Sequence, residues 1–328
     1  MAVHTMSLDA LERLRELFAD CERDETVFLI PKHRLAALRD LVDRLPFMEV
    51  AEIRASLIDE AGGFHAWKSG PVVQLLQRIE TPWLTEVLSQ QSIRFDYQPI
   101  VHAITGEVYA NECLMRSSLS GRSVTPDELV EAAKAHDSLL VLDQLCRKIA
   151  IESSGDYLSQ GHRLFINFFP ITIYDPKVCL RTTFGAAERA GADISQLTFE
   201  VVESEAFPDL DHLKGILEAY REKGASVALD DLGSGHTAIL YIDQLEPDVV
   251  KIDKDVLTRA VATNETSMFI GMVRYAQERG ITTIAEGIES EKELDFCREL
   301  GVDYVQGYFL ARPSERPMIG RLEQRRAA

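Results

Sequence analysis

Residues 226–232 read Ser-Val-Ala-Leu-Asp-Asp-Leu, and residues 248–253 read Asp-Val-Val-Lys-Ile-Asp. Each is an apolar run of strand length with ionisable groups at or just past its centre. A continuous apolar run, rather than an alternating one, is the pattern of a strand covered on both faces. Working outward, the same beat recurs in FDYQPIV (95–101), EVYANECLM (107–115), RLFINFF (163–169), QLTFEVV (196–202), TTIAEGI (282–288) and YVQGYFL (304–310). Amphipathic helices lie between most of them, for example LDHLKGILEAYREKG (210–224), with Gly224 as its stop. Repeated β-α units imply a parallel sheet, and eight strands point to a TIM-like (β/α)8 barrel. The first two strands read as a hairpin, so the first is expected to run antiparallel. An open doubly wound sheet is the alternative.

The barrel is expected to occupy residues 91–328, after a small α/β module over residues 1–90. In that module Ser7 can cap a helix carrying Leu8, Leu11, Leu14 and Leu17. The strand TVFLI and the helix KHRLAALRDLVDRL follow. Ala51, Ile53, Ala55 and Leu57 alternate with polar residues at the period of a half-buried strand. Thr81-Pro82 reads as a helix cap and first helical residue. No catalytic constellation falls here, and a regulatory or dimerising role is expected.

The 328 residues suit one barrel of roughly 250 residues plus a small module. No apolar stretch approaches the roughly 18 to 20 residues that cross a bilayer, and the N-terminus lacks an apolar signal segment. These features predict a soluble, cytoplasmic protein. The five cysteines are scattered and form no C-x-x-C pair, which argues against a disulfide framework or a zinc ribbon. A net charge of −18 disfavours long nucleic acid, whose phosphates call for a basic stripe. An acidic protein can still hold a phosphodiester when divalent cations lie between its carboxylates and the ligand.

The strongest signal is positional. Glu112, Asn167, Glu200, Asp230, Asp231, Lys251, Glu286 and Gln306 all sit at or just past the centre of a strand. Buried ionisable groups are costly unless paired or metal-bound, and seven successive strands each deliver at least one such polar group. In a (β/α)8 barrel such positions converge on one mouth. Carboxylates dominate the set and repel one another unless cations intervene or protons bind. Oxygen donors without Cys or His suit Mg²⁺, Mn²⁺ or Ca²⁺. Adjacent Asp230 and Asp231 can set one carboxylate between two ions, an arrangement suited to in-line displacement at phosphorus. Lys251, alone among carboxylates, is placed to orient or activate a water. Singly, each residue reads equally well as part of a structural ion pair. Gly233-Ser234-Gly235 with Ala238 imitates a dinucleotide-binding turn, but the two preceding aspartates would face a pyrophosphate with like charge.

These motifs resemble the EAL family of cyclic di-GMP phosphodiesterases over roughly residues 92–315. FDYQPIV, with Gln98, and NECLMR resemble the family's opening, with Glu112-Cys113-Leu114 in place of Glu-Ala-Leu. The resemblance implies that Glu112, Asn167 of INFFP, Glu200 of FEVVES, and Asp230 and Asp231 of DDLGSG bind two Mg²⁺ or Mn²⁺ ions. It implies that Glu203 stabilises the neighbouring loop. Lys251 of VVKID, Glu286 of IAEGIES and Gln306 of QGYFLARP take catalytic roles, whereas Gln98, Arg116, Asp253 and Glu289 contact substrate. Cyclic di-GMP would be hydrolysed to linear pGpG, and a homodimer is the family expectation. Leu232, Ser234 and His236 depart from the family pattern in the loop after the aspartates, where metal binding is coupled to dimerisation. The alternative is an EAL domain without activity, acting as a cyclic di-GMP receptor or a protein-interaction module.

Overall fold

The computed structural model describes residues 1–24, 26–58, 68–119, 121–202, 209–233, 238–263 and 265–322. The chain divides into two compact units, Met1–Gln90 with Thr125–Leu139, and Gln91–Val124 with Leu140–Ala328.

The first unit holds an antiparallel sheet of β1 (Ala2–Thr5), β2 (Glu22–Asp24), β3 (Val27–Leu29), β4 (Ile53–Ser56) and β5 (Gly70–Pro71), ordered β2-β3-β1-β4-β5. Val3, Phe28, Ile53 and Ala55 turn inward from the sheet and pack on Leu14 and Phe18 of the helix Leu8–Phe18 and Leu38 of the helix Leu35–Arg44. Ser7 caps the first helix, its Oγ accepting from the Ala10 N–H at 3.4 Å. Thr81 closes a helix instead of opening one. It follows the helix Val72–Glu80 and donates its Oγ1 proton to the Gln77 carbonyl at 2.6 Å, and the next helix starts at Leu84. Thr125–Leu139 returns to this unit. Its helix Pro126–Ala135 starts on a Thr125–Glu128 capping box, and Asp137 accepts from Gln74 Nε2 at 3.0 Å while pairing with Arg78.

The second unit is a closed barrel. Its strands are β6 (Ile93–His102), β7 (Val108–Leu119), β9 (Leu164–Asn167), β10 (Leu197–Val202), β11 (Ser226–Leu232), β12 (Val249–Ile252), β13 (Thr282–Ala285) and β14 (Tyr304–Val305), with β8 (Arg122–Val124) appended to β7. Pairing of β6 with both β14 and β7 completes the ring, and both pairings are antiparallel. The remaining ring pairs run parallel. Ile100, Ala110, Phe165, Ala228, Val249 and Ile284 form one buried cluster, with Tyr109 and Tyr304 packed against it.

Because side chains alternate along a strand, residues two positions apart share a face. Glu112, Asn167, Asp230, Lys251, Glu286 and Gln306 each stand two residues beyond Ala110, Phe165, Ala228, Val249, Ile284 and Tyr304. Gln98 does the same on the reversed strand β6, two residues before Ile100. The apolar cluster is thus the floor on which a polar layer rests. Only the first two residues of YVQGYFL are strand. From Gln306 the chain turns, held by Ile288 N–H to Gln306 O at 3.0 Å and Phe309 N–H to Ile288 O at 2.9 Å.

Candidate metal centre and ligand pocket

Lys251 rises from β12 into the centre of this layer and is completely buried. Its Nζ lies 2.9 Å from Glu286 Oε1, 3.0 Å from Glu200 Oε1, 3.0 Å from Asp230 Oδ1 and 3.4 Å from Glu112 Oε2. These are ion-pair distances without hydrogen-bond alignment, so Lys251 Nζ and Glu200 Oε1 remain buried polar atoms with no hydrogen-bond partner. Asn167 Nδ2 reaches both Glu112 Oε1 and Glu200 Oε2 at 3.3 Å, and Gln306 Nε2 donates to Glu112 Oε2 at 2.7 Å.

Asp230 and Asp231 pose a geometric problem, since neighbours on a strand face opposite ways. The backbone solves it locally. Asp231 takes φ 54°, and the pairing of β11 with β12 shifts register between Leu229 and Leu232. A left-handed conformation at a non-glycine residue costs about 1–3 kcal/mol. Here it brings both carboxylates to one cavity of about 340 Å³, which Glu112, Glu286, Gln98 and Gln306 also line.

The acids outnumber the cations. Burial pushes the Glu200 carboxyl well up, and Glu112 and Asp230 add to this against the opposing pull of Lys251. Burial likewise raises Glu286 well above the usual range, reinforced by Asp230. Asp231 is pushed up to about 6, by burial and then by Asp230. Lys251 is raised as well: burial works against its charge, but Asp230, Glu112, Glu200 and Glu286 together outweigh it.

Single carboxylate oxygens of Glu112, Glu200 and Asp230 lie within 4.8 Å of one another, as do those of Asp230, Asp231 and Glu286. Asp230 belongs to both sets. Hard oxygen donors drawn from several strands and an excess of like charge around one ammonium fit divalent cations. Turning the Asn167 amide would add its oxygen to the first set.

Other candidate residues fall around this centre. Glu289 lines the cavity and pairs with Lys254, whose part sequence reasoning missed. Arg116 stands outside the lining, its Nε donating to Asp96 at 2.8 Å. Asp253 also lies off the lining and accepts from the Asp255 N–H at 2.8 Å at the start of the helix Lys254–Thr263. Glu203, Ser234 and His236 lie outside the described residues. Leu232 is fully buried.

Two supports were not foreseen. Asp143, on the helix Leu139–Ser153, accepts from the Phe169 N–H at 3.0 Å and Thr172 Oγ1 at 2.7 Å, and so pins the turn just past Asn167. Gly307 packs so tightly that a Cβ there would overlap the backbone N and O of Ile288. That contact joins the Gln306 turn to the loop carrying Glu286 and Glu289. An alternation count over 226–307 would have flagged the inward register, but the helix-borne Asp143 reads as an ordinary surface acid.

Comparison with known proteins gives one answer. The family model for the EAL domain matches residues 82–313. The probable cyclic di-GMP phosphodiesterase PdeB of Escherichia coli is 29% identical over 248 residues, which cover 74% of this chain and 47% of PdeB. The chain therefore spans less than half of that relative. A standalone EAL protein from Vibrio cholerae, solved in its c-di-GMP-bound form, is 31% identical, with a TM-score of 0.63 over 72% of this chain and 98% of that one. The PaMucR phosphodiesterase, solved as a c-di-GMP complex, is 25% identical, with a TM-score of 0.65 over 73% and 97% of the two chains. Among the described residues, no helix is long and apolar enough to cross a membrane. With all eight barrel strands inside the matched span, the chain belongs to the EAL domain family.

Proposed function

We propose that the chain hydrolyses cyclic di-GMP to linear pGpG, using divalent cations held at the rim of the barrel. The observation that carries this is the crowding of Glu112, Glu200, Asp230 and Glu286 within 3.4 Å of one lysine ammonium, with Asp231 beside them. So many acids around one lysine call for further positive charge. The cyclic di-GMP complexes of the two EAL structures support the choice of ligand.

In this reading Glu112, Asn167, Glu200 and Asp230 hold one Mg²⁺ or Mn²⁺, and Asp230 and Asp231 help hold a second. Bound divalent cations offset charge on the phosphoryl oxygens and make water acidic enough to attack near neutral pH. Lys251, kept as an ammonium by its four carboxylates, orients the attacking water and balances the developing charge. Gln306, anchored on Glu112, and Glu286, anchored on Lys251, complete that orientation. Gln98 and Glu289 line the cavity that would take the substrate, and Arg116, one rung beyond the cavity residue Leu114, is assigned to a phosphate oxygen. Asp253 adds negative charge that raises Asp231, and Glu203 is assigned the stabilising of the neighbouring loop. In this reading the protein works as a cytoplasmic homodimer, with residues 1–90 as a regulatory or dimerising module.

Incubating the chain with cyclic di-GMP and Mn²⁺, and following pGpG by chromatography, tests this directly. EDTA is expected to abolish turnover, and Glu112→Ala or Lys251→Ala to lower it by at least roughly a hundredfold. Near-parental rates in those variants would falsify the assignment. Binding of cyclic di-GMP with no pGpG would mark the domain as a receptor.

A further inference from the structure

The hairpin of β6 and β7 carries a polar ladder beyond the acid layer. Gln98 pairs with Glu112, Asp96 with Leu114, and Arg94 with Arg116. Gln98, Glu112 and Leu114 line the cavity, so the next rung out places two arginines directly opposite each other. Like charges at opposed positions repel. Asp96 resolves the repulsion. It accepts from Arg116 Nε through Oδ2 at 2.8 Å and pairs with Arg94 through Oδ1. Its side chain is only 17% exposed.

Asp96 sits one rung nearer the cavity than either arginine, opposite the cavity residue Leu114. Both arginines therefore reach back along the ladder to Asp96, and Arg94 also borders a separate cavity with Tyr97 and Tyr157. Arg116 is fixed a second time, with Nη1 donating to its neighbour's carbonyl, Met115 O, at 2.9 Å. Nε and Nη1 are thus spent on the protein, whereas Nη2 makes no hydrogen bond among the described residues. On Arg94 only Nη1 is engaged by Asp96. An arginine held in place loses less freedom when it binds an anion, which is the general source of affinity from preorganisation.

We propose that Asp96 is a positioning residue that draws Arg94 and Arg116 to the mouth of the cavity, where together they take a phosphate oxygen of the phosphodiester ligand. The proposal rests on the phosphodiesterase reading above and adds to it Asp96 and Arg94. Its chemistry is that of two guanidiniums bridged by one carboxylate, with net charge left over for a single anionic phosphate.

The test uses the full chain with Asp96→Asn, Asp96→Glu and Arg94→Gln, each checked for an unchanged thermal midpoint. Steady-state turnover of cyclic di-GMP with Mn²⁺ is measured beside calorimetric binding of cyclic di-GMP in EDTA, a readout that needs no metal. Asp96→Asn is expected to raise KM and the metal-free Kd by roughly three- to tenfold, with kcat moving less. Asp96→Glu should recover part of the loss, and Arg94→Gln should weaken binding about as much as Asp96→Asn. In an Arg116→Ala, Arg94→Gln background, Asp96→Asn should add nothing, because its effect passes through those two side chains. Unchanged Kd and KM in Asp96→Asn, or an undiminished effect in that background, would overturn the role of Asp96. Failure of the unsubstituted chain to bind or cleave cyclic di-GMP would instead overturn the functional reading beneath it.

Discussion

Among the described residues of the barrel unit, two clusters of buried charge are built on opposite principles. Around Arg147, itself completely buried, charge is matched. Asp143 accepts from its Nη2 at 2.6 Å, and Thr183 Oγ1 accepts from its Nη1 at 2.6 Å. The second oxygen of Asp143 takes the Phe169 N–H. Only Arg147 Nε lacks a partner. Around Lys251 one ammonium meets four carboxylates, with a fifth nearby, and the shortfall shows in the raised carboxyl pKa values of Glu200 and Glu286. A balanced cluster holds chain segments together. An unbalanced one keeps its capacity for a cation that comes from outside the chain.

The contrast breaks most visibly at Asp143. Asp143→Ala strands a buried guanidinium and frees the turn after Asn167, so it should cost about 3–5 kcal/mol in urea unfolding. Replacing both partners by apolar residues, Asp143→Leu with Arg147→Met, should recover most of that loss. A wild-type urea midpoint for Asp143→Ala would show that the pair contributes nothing net. Next in size is Gly307→Ala. The methyl group has no room against Ile288, so the Gln306 turn must move, at a cost of about 1–3 kcal/mol and with a fall in turnover. Unaltered thermal midpoint and kcat would rule out that close approach.

In the Lys251 cluster the sign should reverse. Glu200→Gln removes a buried carboxylate whose charge its surroundings disfavour, and three others still face the lysine. Without metal this variant should melt a few degrees above the parent, while its cyclic di-GMP turnover drops by at least roughly a hundredfold. A lower metal-free midpoint would mean that Glu200 is there to balance Lys251 and not to hold a cation.

How much of this the sequence disclosed follows from where each signal lives. Polar groups late in apolar strands gave away the layer, because Glu200 or Lys251 cannot sit among Val and Ile without a reason. The barrel followed from the strand-helix beat, and the antiparallel first strand from the short FDYQPIV–NECLMR hairpin. The central strand Ala2–Thr5 did not show, since four residues carry too little periodicity to read. Nor did the return of Thr125–Leu139 to the first unit, because the Thr125 cap that starts its helix says nothing about which surface the helix packs on. At Thr81 local chemistry misled: a threonine before proline is a common helix start, yet its hydroxyl here closes the helix before it. Asp96 and Lys254 escaped notice for another reason. Exposed-looking charges beside a strand gain meaning only from the cross-strand rung or loop that meets them.

The smallest effect expected is read from the pH dependence of the Lys251 cluster. Asp231 has its pKa raised to about 6, and Glu200 and Glu286 are raised too. Unfolded carboxyls titrate near 4, so above that pH the folded, metal-free chain binds more protons than the unfolded one. Stability from these groups is therefore complete below about pH 4 and is lost as pH climbs through about 6 and beyond. Metal binding needs the ionised carboxylates, so stabilisation by Mn²⁺ should grow over the same interval. The difference in thermal midpoint between Mn²⁺ and EDTA should widen from pH 5 to pH 7.5, by a few degrees. Asp231→Asn should flatten that widening. A gap that stays constant with pH would mean that the cluster takes up cations without giving up protons, and that the crowding of its acids is already relieved inside the fold.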